Sequence, residues 1–266
     1  MAEAGAEPSL LPQANEPPEV TDDVFLGGGV RVRQPVRGYR AGLDAVMLAA
    51  CVPPEEQGSV LDCGAGVGTV GLCVAARCQR ARIVMVERQP ALASLAQSNI
   101  TANGFDDRAS VVAADVLAFD GRADAGELRP ESFAIVLANP PYHDTDAGTL
   151  SAADLKAASH AMPENQLDAW VRFMARMCAP GGRAIMIHKT EALPRILSAF
   201  ENRFGCLTIL PLHPREGSPA HRVIVAGKKA SRAPMVLLNG LVLHGDSNAF
   251  TIEADAILRH GATLPI

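Results

Sequence analysis

The sequence predicts an α/β fold in which a mainly parallel sheet is covered by helices on both faces. Three observations predict it. Short apolar runs alternate with helical patterns, a glycine-rich turn follows the first run, and polar residues close four of the runs. Strands that alternate with helices imply right-handed crossovers, which make neighbouring strands parallel.

The first part of the chain precedes this alternating region. Residues 1–22 are rich in Pro, Ala and Glu, and we expect a flexible leader because they carry too little apolar surface to offset the entropy of ordering. Residues 23–54 are predicted as an N-terminal segment. Within it, Val30 to Pro35 alternates like a strand or hairpin edge, and Leu43 to Cys51 predicts a short buried helix that ends before Pro53.

Seven strands are predicted within residues 55–230, which we expect to form the main domain. They are Ser59–Leu61, Ile83–Val86, Val111–Ala113, Phe133–Ala138, Arg183–His188, Leu207–Leu212 and Arg222–Ala226. Helices are expected at Gly68–Cys78, Pro90–Ala102 and Glu164–Cys178, and near Glu191–Phe200. The third of these stops at Pro180-Gly181-Gly182. Residues 231–266 are predicted as a C-terminal extension with a strand pair and a helix near Ile252–His260, packed on the domain.

The composition excludes a wholly disordered chain and a collagen-like chain, since 48% of the 266 residues are apolar and 20% are charged. The net charge of -5 is unevenly placed. The first 30 residues hold six acids and no Lys or Arg, so the other 236 hold 24 basic and 23 acidic side chains. This near-neutral body is compatible with a nucleic-acid partner if its basic residues cluster.

Targeting and metal signals are absent from the pattern. No apolar run is long enough for a transmembrane helix, and the N-terminus lacks the basic and apolar regions of a signal peptide, so we expect a cytoplasmic protein. The six cysteines form no C-x-x-C pair. We therefore expect reduced thiols and no metal.

Acids close the first three predicted strands, at the edge where sheets of this type bind ligands. Asp62 precedes the turn Cys63 to Gly68, and Glu87 and Asp115 end the next two strands. Asp62 disfavours a pyrophosphate, and the Gly-Lys-Ser/Thr of a P-loop is absent. A ligand with an ammonium group and ribose hydroxyls suits the acids better, and S-adenosylmethionine has both. We expect Glu87 to bind the ribose and Asp115, with Val116 beside it, to contact the adenine.

The fourth strand ends in Asn139-Pro140-Pro141-Tyr142, the sharpest signal in the chain. The prolines make a rigid strand exit. The Asn139 side-chain oxygen and the Pro140 carbonyl can then accept both hydrogens of an NH2 group and stabilise the charge that develops on its nitrogen. Tyr142 can stack on a planar group.

The order of these motifs resembles that of the class I S-adenosylmethionine-dependent methyltransferases that modify planar amino groups. Arg37 to Ala50 and Pro214 to Lys229 further resemble the bacterial tRNA1(Val) adenine N6-methyltransferase group, and the similarity spans roughly residues 24 to 230. The resemblance implies a Rossmann-like fold, S-adenosylmethionine as cofactor and an adenine N6 in tRNA as substrate. It implies cofactor contacts at Asp62, Gly64, Gly66, Glu87, Asp115 and Val116, and an amine site at Asn139, Pro140 and Tyr142.

Residues on the substrate side are expected to include Arg37, Arg40, Pro141 and His143. Basic residues that either contact phosphates at the mouth of the site or form a solvated face are Arg31, Arg33, Arg37, Arg40, Arg215, Arg222, Lys228 and Lys229. Two other functions stay open: methylation of a protein glutamine amide, and a cofactor-binding or RNA-binding module without chemistry. The sequence does not indicate an oligomeric state.

Overall fold

The computed structural model describes residues 19–37, 40–119, 126–141, 166–246 and 248–266. Tyr142, His143 and the first 18 residues of the predicted leader lie outside the described residues. The strands are β1 (Val20–Phe25), β2 (Val30–Pro35), β3 (Ser59–Cys63), β4 (Arg82–Glu87), β5 (Ala109–Ala113), β6 (Phe133–Ala138), β7 (Cys178–Lys189), β8 (Phe204–Arg215), β9 (Arg222–Lys229), β10 (Val236–Leu237) and β11 (Leu241–His244). The helices are α1 (Leu43–Ala50), α2 (Thr69–Arg77), α3 (Pro90–Ala102), α4 (Gln166–Met177), α5 (Leu193–Glu201) and α6 (Ile252–His260).

Seven strands form the body of the main sheet in the order β8-β9-β7-β6-β3-β4-β5. Only β9 runs antiparallel to its neighbours in this row. The predicted mainly parallel sheet is therefore confirmed, but with β10 and β11 the described sheet has nine strands and not the predicted seven. The strand pair predicted in residues 231–266 is wrong, because β10 and β11 each pair in parallel with β8 and extend that edge of the sheet.

Alternate residues of the central strands face two separate apolar layers, as the two-residue repeat of a strand requires. Val60 and Ile135 belong to the layer that contains α1, α2 and α6, whereas Leu61 and Val136 belong to the layer that contains α4 and α5. Helices therefore cover both faces, as predicted. Among the described helices, none is both long and apolar enough to cross a membrane.

An antiparallel hairpin of β1 and β2 precedes the main sheet. The hairpin begins at Val20, within the predicted leader, because Val20 to Asp22 pair with residues 33–35 of β2. The free edge of β2 is bound by two asparagines of α3. The side-chain amides of Asn99 and Asn103 bond the backbone N–H and C=O of Arg33 and Arg31 respectively, at 2.6 to 3.1 Å. Side chains thus take the place of a neighbouring strand.

β7 begins at Cys178, directly after α4, and not at Arg183 as predicted. Pro180, Gly181 and Gly182, which were predicted to stop the helix, form an irregular part of the strand instead, since the register against β6 shifts between Phe133 and Ile135. Gly181 takes a φ of 80° in this irregular stretch, a conformation that glycine adopts readily. Residues that disfavour a helix can therefore form the beginning of the strand that follows it.

Candidate active site

The turn between β3 and α2 is built on three glycines in the left-handed region, with φ of 67° at Gly64, 57° at Gly66 and 88° at Gly68. A Cβ on Gly64 would lie 2.4 Å from Cη2 of Trp170 on α4, whereas a Cβ on Gly66 would meet no atom within 4 Å. Gly64 is therefore required for packing, and Gly66 leaves the backbone open to a ligand. The sequence pattern gives no sign of the contact with Trp170, which joins distant segments.

Glu87, the last residue of β4, lies against this turn. Its carboxylate accepts a hydrogen bond from the N–H of Gly66 at 2.8 Å through Oε2, and one from the N–H of Gln89 at 2.8 Å through Oε1. The side chain is buried, with 5% of the residue exposed. Each oxygen of a carboxylate accepts more than one hydrogen bond, so both retain capacity for the hydroxyls of a ribose.

Asp62 lies inside β3, whereas the sequence predicted that the strand ends before it, at Leu61. Its Oδ2 accepts a hydrogen bond from the N–H of Gly71 at 3.0 Å, in the first turn of α2. Burial raises the pKa of this carboxyl to about 7; the hydrogen bond from Gly71 opposes the shift, and the nearby Glu87 carboxylate adds to it. The observed contact makes Asp62 a cap of α2, and its predicted contact with the cofactor stays a prediction.

A cavity of about 560 Å³ lies between the ends of β4 and β5. Its lining residues are Arg88, Gln89, Pro90, Ala113, Ala114 and Asp115. Asp115 accepts a hydrogen bond from the N–H of Leu117 at 2.8 Å through Oδ1, and Val116 is buried in the layer beneath. Asp115 is therefore a wall of the cavity, as its predicted role requires. Arg88, Gln89 and Pro90 were not predicted, although they directly follow Glu87.

These groups fit an adenosine. Open backbone at Gly66 allows close approach, Glu87 offers acceptors for hydroxyls, and Asp115 offers an acceptor beside a cavity large enough for the base. Among the described residues, no group of three or more His, Cys, Asp or Glu is arranged to hold a metal ion.

Asn139 follows the last residue of β6 at the centre of the sheet. β6 lies between β3, where Ala138 pairs with Cys63, and β7, where Ala138 pairs with Met186. The motif is therefore next to the glycine turn on one side and to the end of β7 on the other. Asn139 is half-buried, Pro140 is buried and Pro141 is exposed. The motif therefore lies at the carboxyl edge of the sheet, where sheets of this type bind ligands.

The predicted basic residues occupy different regions of the molecule. Arg37 is exposed after the hairpin. Arg40 donates to Asp23 at 2.5 Å, to Thr21 at 2.8 Å and to the carbonyl of Pro35 at 2.9 Å, so its guanidinium ties the hairpin to the segment before α1. Its predicted contact with substrate stays a prediction.

Of the two alternatives that the sequence left open for Lys228 and Lys229, a position at the mouth of the site does not apply. β9 runs antiparallel to β7, and Lys228 pairs with Arg183 near the beginning of β7, at the opposite edge of the sheet. Lys229 donates to the carbonyls of Ala175 and Cys178 at 2.7 and 2.8 Å, at the end of α4. Arg222, at the other end of β9, does lie at the same edge of the sheet as the site.

Comparisons with known proteins agree with this geometry. The family model described as methyltransferase small domain matches residues 41–165. The crystal structure of a predicted O-methyltransferase from Agrobacterium tumefaciens has a TM-score of 0.70 and 30% identity, and the match covers 84% of this chain and 99% of that one.

Curated relatives carry a more specific name. A protein of Shewanella halifaxensis named tRNA1(Val) (adenine(37)-N6)-methyltransferase is 28% identical over 193 residues, which cover 71% of this chain and 75% of the relative. A protein of the same name from Shewanella amazonensis is 39% identical over 108 residues, which cover 41% of this chain and 43% of the relative. The name of both relatives describes methylation of N6 of a tRNA adenine.

Proposed function

Because the chain belongs to the S-adenosylmethionine-dependent methyltransferases, we propose that it methylates N6 of an adenine in tRNA. The observation that carries the proposal is the position of Asn139 and Pro140, at the central strand exit next to the glycine turn. We propose a cytoplasmic location, where a tRNA substrate is present.

The cofactor supplies an electrophilic methyl group on its sulfonium. Glu87 binds and orients the ribose, while Gly66 allows the ligand to approach the backbone, and Asp115 receives the adenine end in the cavity beside β5. Asp62 acts indirectly in this arrangement, because it holds the first turn of α2 against the end of β3.

At the amine, the Asn139 side-chain oxygen and the Pro140 carbonyl accept the two hydrogens of the exocyclic NH2. This orientation directs the nitrogen lone pair towards the incoming methyl group and stabilises the positive charge that develops on nitrogen. The alkylated nitrogen is acidic enough to lose a proton to water, so the step requires no strong base. We propose that Tyr142 stacks on the base and that His143 forms part of the base pocket.

RNA is favoured over protein as the substrate by the names of the curated relatives, which describe methylation of a tRNA adenine. Among nucleic-acid substrates, a separate physical argument favours a single-stranded loop. A base in a single-stranded loop can be presented without unpairing, whereas one within a duplex must first be flipped out.

The test uses purified protein, labelled S-adenosylmethionine, total tRNA and total protein, followed by digestion of the tRNA to nucleosides. We expect label in N6-methyladenosine with the wild type and at least a hundredfold lower rate with Asn139→Ala, whose binding of S-adenosylhomocysteine should be unchanged. Asn202→Ala, at the exposed end of α5, is the matched control and should be fully active.

Other positions of the label would overturn the proposal. Label only in protein would indicate a glutamine amide as acceptor. Label in a 2′-O-methyl nucleoside would indicate O-methylation, the activity predicted for the Agrobacterium protein. Cofactor binding without any transfer would indicate a module that performs no chemistry.

A further inference from the structure

A second cavity lies on the other side of the Asn139 motif from the cofactor cavity. It has a volume of about 450 Å³ and is lined by Lys189, Thr190, Glu191, Ala220, His221 and Arg222. Ala138 of β6 pairs in parallel with Met186 of β7, so Pro141 and Lys189 leave the sheet at the same edge. The cavity is therefore placed beside the amine site and away from the ribose and adenine contacts.

Basic side chains converge on this cavity. Lys189 and Arg222 lie directly opposite each other in the ladder between β7 and β9. Like charges at opposed positions repel, so an anion between them stabilises the pair. Burial lowers the pKa of the adjacent His188 to about 4, a hydrogen bond at the Lys189 backbone opposes this, and the positive charges of Arg195, Lys189 and Arg222 lower it further.

Two acids lie near the cavity, and one of them holds Arg222 in position. Asp44 on α1 accepts a hydrogen bond from Nε of Arg222 at 2.9 Å, and Arg222 also donates to the carbonyl of His221 at 3.2 Å. These bonds fix the guanidinium in one orientation. Glu191 is exposed. The lining residues thus hold two cations, Lys189 and Arg222, and one acid, Glu191, while Asp44 forms an ion pair with Arg222.

One lining residue of the cavity, Thr190, has a buried hydroxyl. The N–H of Thr190 donates to the carbonyl of His221 at 3.3 Å, which joins the two segments. The Thr190 Oγ1 is buried and has no hydrogen-bond partner within the described part of the chain. A buried hydroxyl is stabilised by a partner, and a ligand oxygen can provide one.

We propose that this cavity binds a backbone phosphate of the RNA next to the target adenine, with Lys189 and Arg222 as its cationic walls and the Thr190 hydroxyl as a donor. The inference rests on the proposed function and identifies the side from which the RNA strand enters the amine site. A phosphodiester matches a fixed guanidinium, an ammonium and a hydroxyl better than an apolar or cationic group does.

The experiment measures the affinity of total tRNA by fluorescence anisotropy over a series of salt concentrations, together with the KM and kcat for tRNA. Loss of one phosphate contact should lower the slope of log affinity against log salt by about 0.7 to 0.9. We therefore expect Lys189→Ala to show that change, an affinity at least fivefold weaker and a raised KM, with kcat and S-adenosylhomocysteine binding unchanged. Thr190→Val should weaken affinity without changing the slope.

The matched control is Lys228→Ala, which removes an exposed lysine from the opposite end of the same strand pair and should behave as wild type. An unchanged slope for Lys189→Ala, or an equal change for both lysine variants, would overturn the inference while leaving the proposed function intact. If the wild-type protein binds no RNA, the proposed function and the inference fail together, and the wild-type measurement alone identifies that outcome.

Discussion

The side-chain amide of Asn99 donates a hydrogen bond to the carbonyl of Val67 at 3.0 Å. The same amide bonds both the N–H and the C=O of Arg33 on β2, at 2.9 and 3.1 Å. One fully buried side chain on α3 therefore joins the glycine turn to the N-terminal hairpin. We therefore expect a change in the position of the hairpin to alter the shape of the cofactor site.

Replacing Asn99 with Ala should weaken both structures. Three backbone groups lose their partner in a buried place, and we expect a loss of about 3 kcal/mol in the free energy of unfolding. Binding of S-adenosylhomocysteine, measured by calorimetry, should also weaken. Asn103→Ala is the control: it loses bonds to Arg31 but none to the turn, so it should be destabilised with unchanged binding. Equal binding by the two variants would contradict the coupling.

Glu87→Gln tests the ribose contact. The amide nitrogen of Gln is a donor, so it would oppose one of the two N–H groups, of Gly66 or Gln89, that the carboxylate accepts. We expect binding of S-adenosylhomocysteine to weaken by about tenfold to a hundredfold, equivalent to about 1.5 to 3 kcal/mol for hydrogen bonds to a charged group. Glu127→Gln, an exposed acid near the beginning of β5, should bind normally.

Two glycines of the same turn should respond differently to Ala. Gly66→Ala carries the strain of a positive φ, about 1 to 2 kcal/mol, and places its methyl in the open space over the backbone, so it should fold but bind cofactor weakly. Gly64→Ala adds a steric overlap with Trp170 and should be far less stable in urea unfolding. The shorter ring in Gly64→Ala/Trp170→Phe should restore part of that stability; no recovery would contradict the packing role.

Two buried groups should give opposite dependences of stability on pH. The Asp62 carboxyl has a folded pKa of about 7, above its ordinary 3.8, so its contribution is fully present below pH 3.8 and is lost as the pH rises through 7, by about 4 kcal/mol. His188 has a folded pKa of about 4, below its ordinary 6.5, so its contribution is present above 6.5 and is lost as the pH falls towards 4, by about 3 kcal/mol.

The contributions of Asp62 and His188 change the free energy of unfolding in opposite directions, and they nearly cancel in the wild type between pH 4 and 6.5. Removing one should expose the other. Urea unfolding of Asp62→Asn should show stability that rises with pH across this range, whereas His188→Gln should show stability that falls. The same sign of slope in both variants would be inconsistent with the two pKa shifts.

Local sequence signals predicted most of the sheet and several boundaries. β6, α3 and α6 have the bounds that their apolar periods and end residues indicate. The edge of the sheet was not predictable in the same way, because the partners of β10 and β11 are chosen by contacts with β8, distant in sequence. The irregular start of β7 likewise depends on its pairing with β6.

In the candidate site, too, local patterns predict some features, while contacts between distant segments decide others. Glu87, Asp115 and Asn139 lie at the carboxyl edge because each is the last residue of a parallel strand or follows one within two residues, which a pattern can predict. The sequence left the position of Lys228 open because the pattern of a strand does not give its direction, and β9 is antiparallel. The contact of Gly64 with Trp170 is a matter of packing between layers, for which the sequence has no local signal.

The two cavities belong to separate stretches of the chain, with lining residues between 88 and 115 for one and between 189 and 222 for the other, and Asn139 falls between them. Mutations can therefore accumulate in one stretch without altering the other. Such a division favours evolutionary change of the acceptor while methyl donor and chemistry are retained. A chimera that exchanges residues 189–222 with those of a relative should accordingly inherit the relative's choice of acceptor.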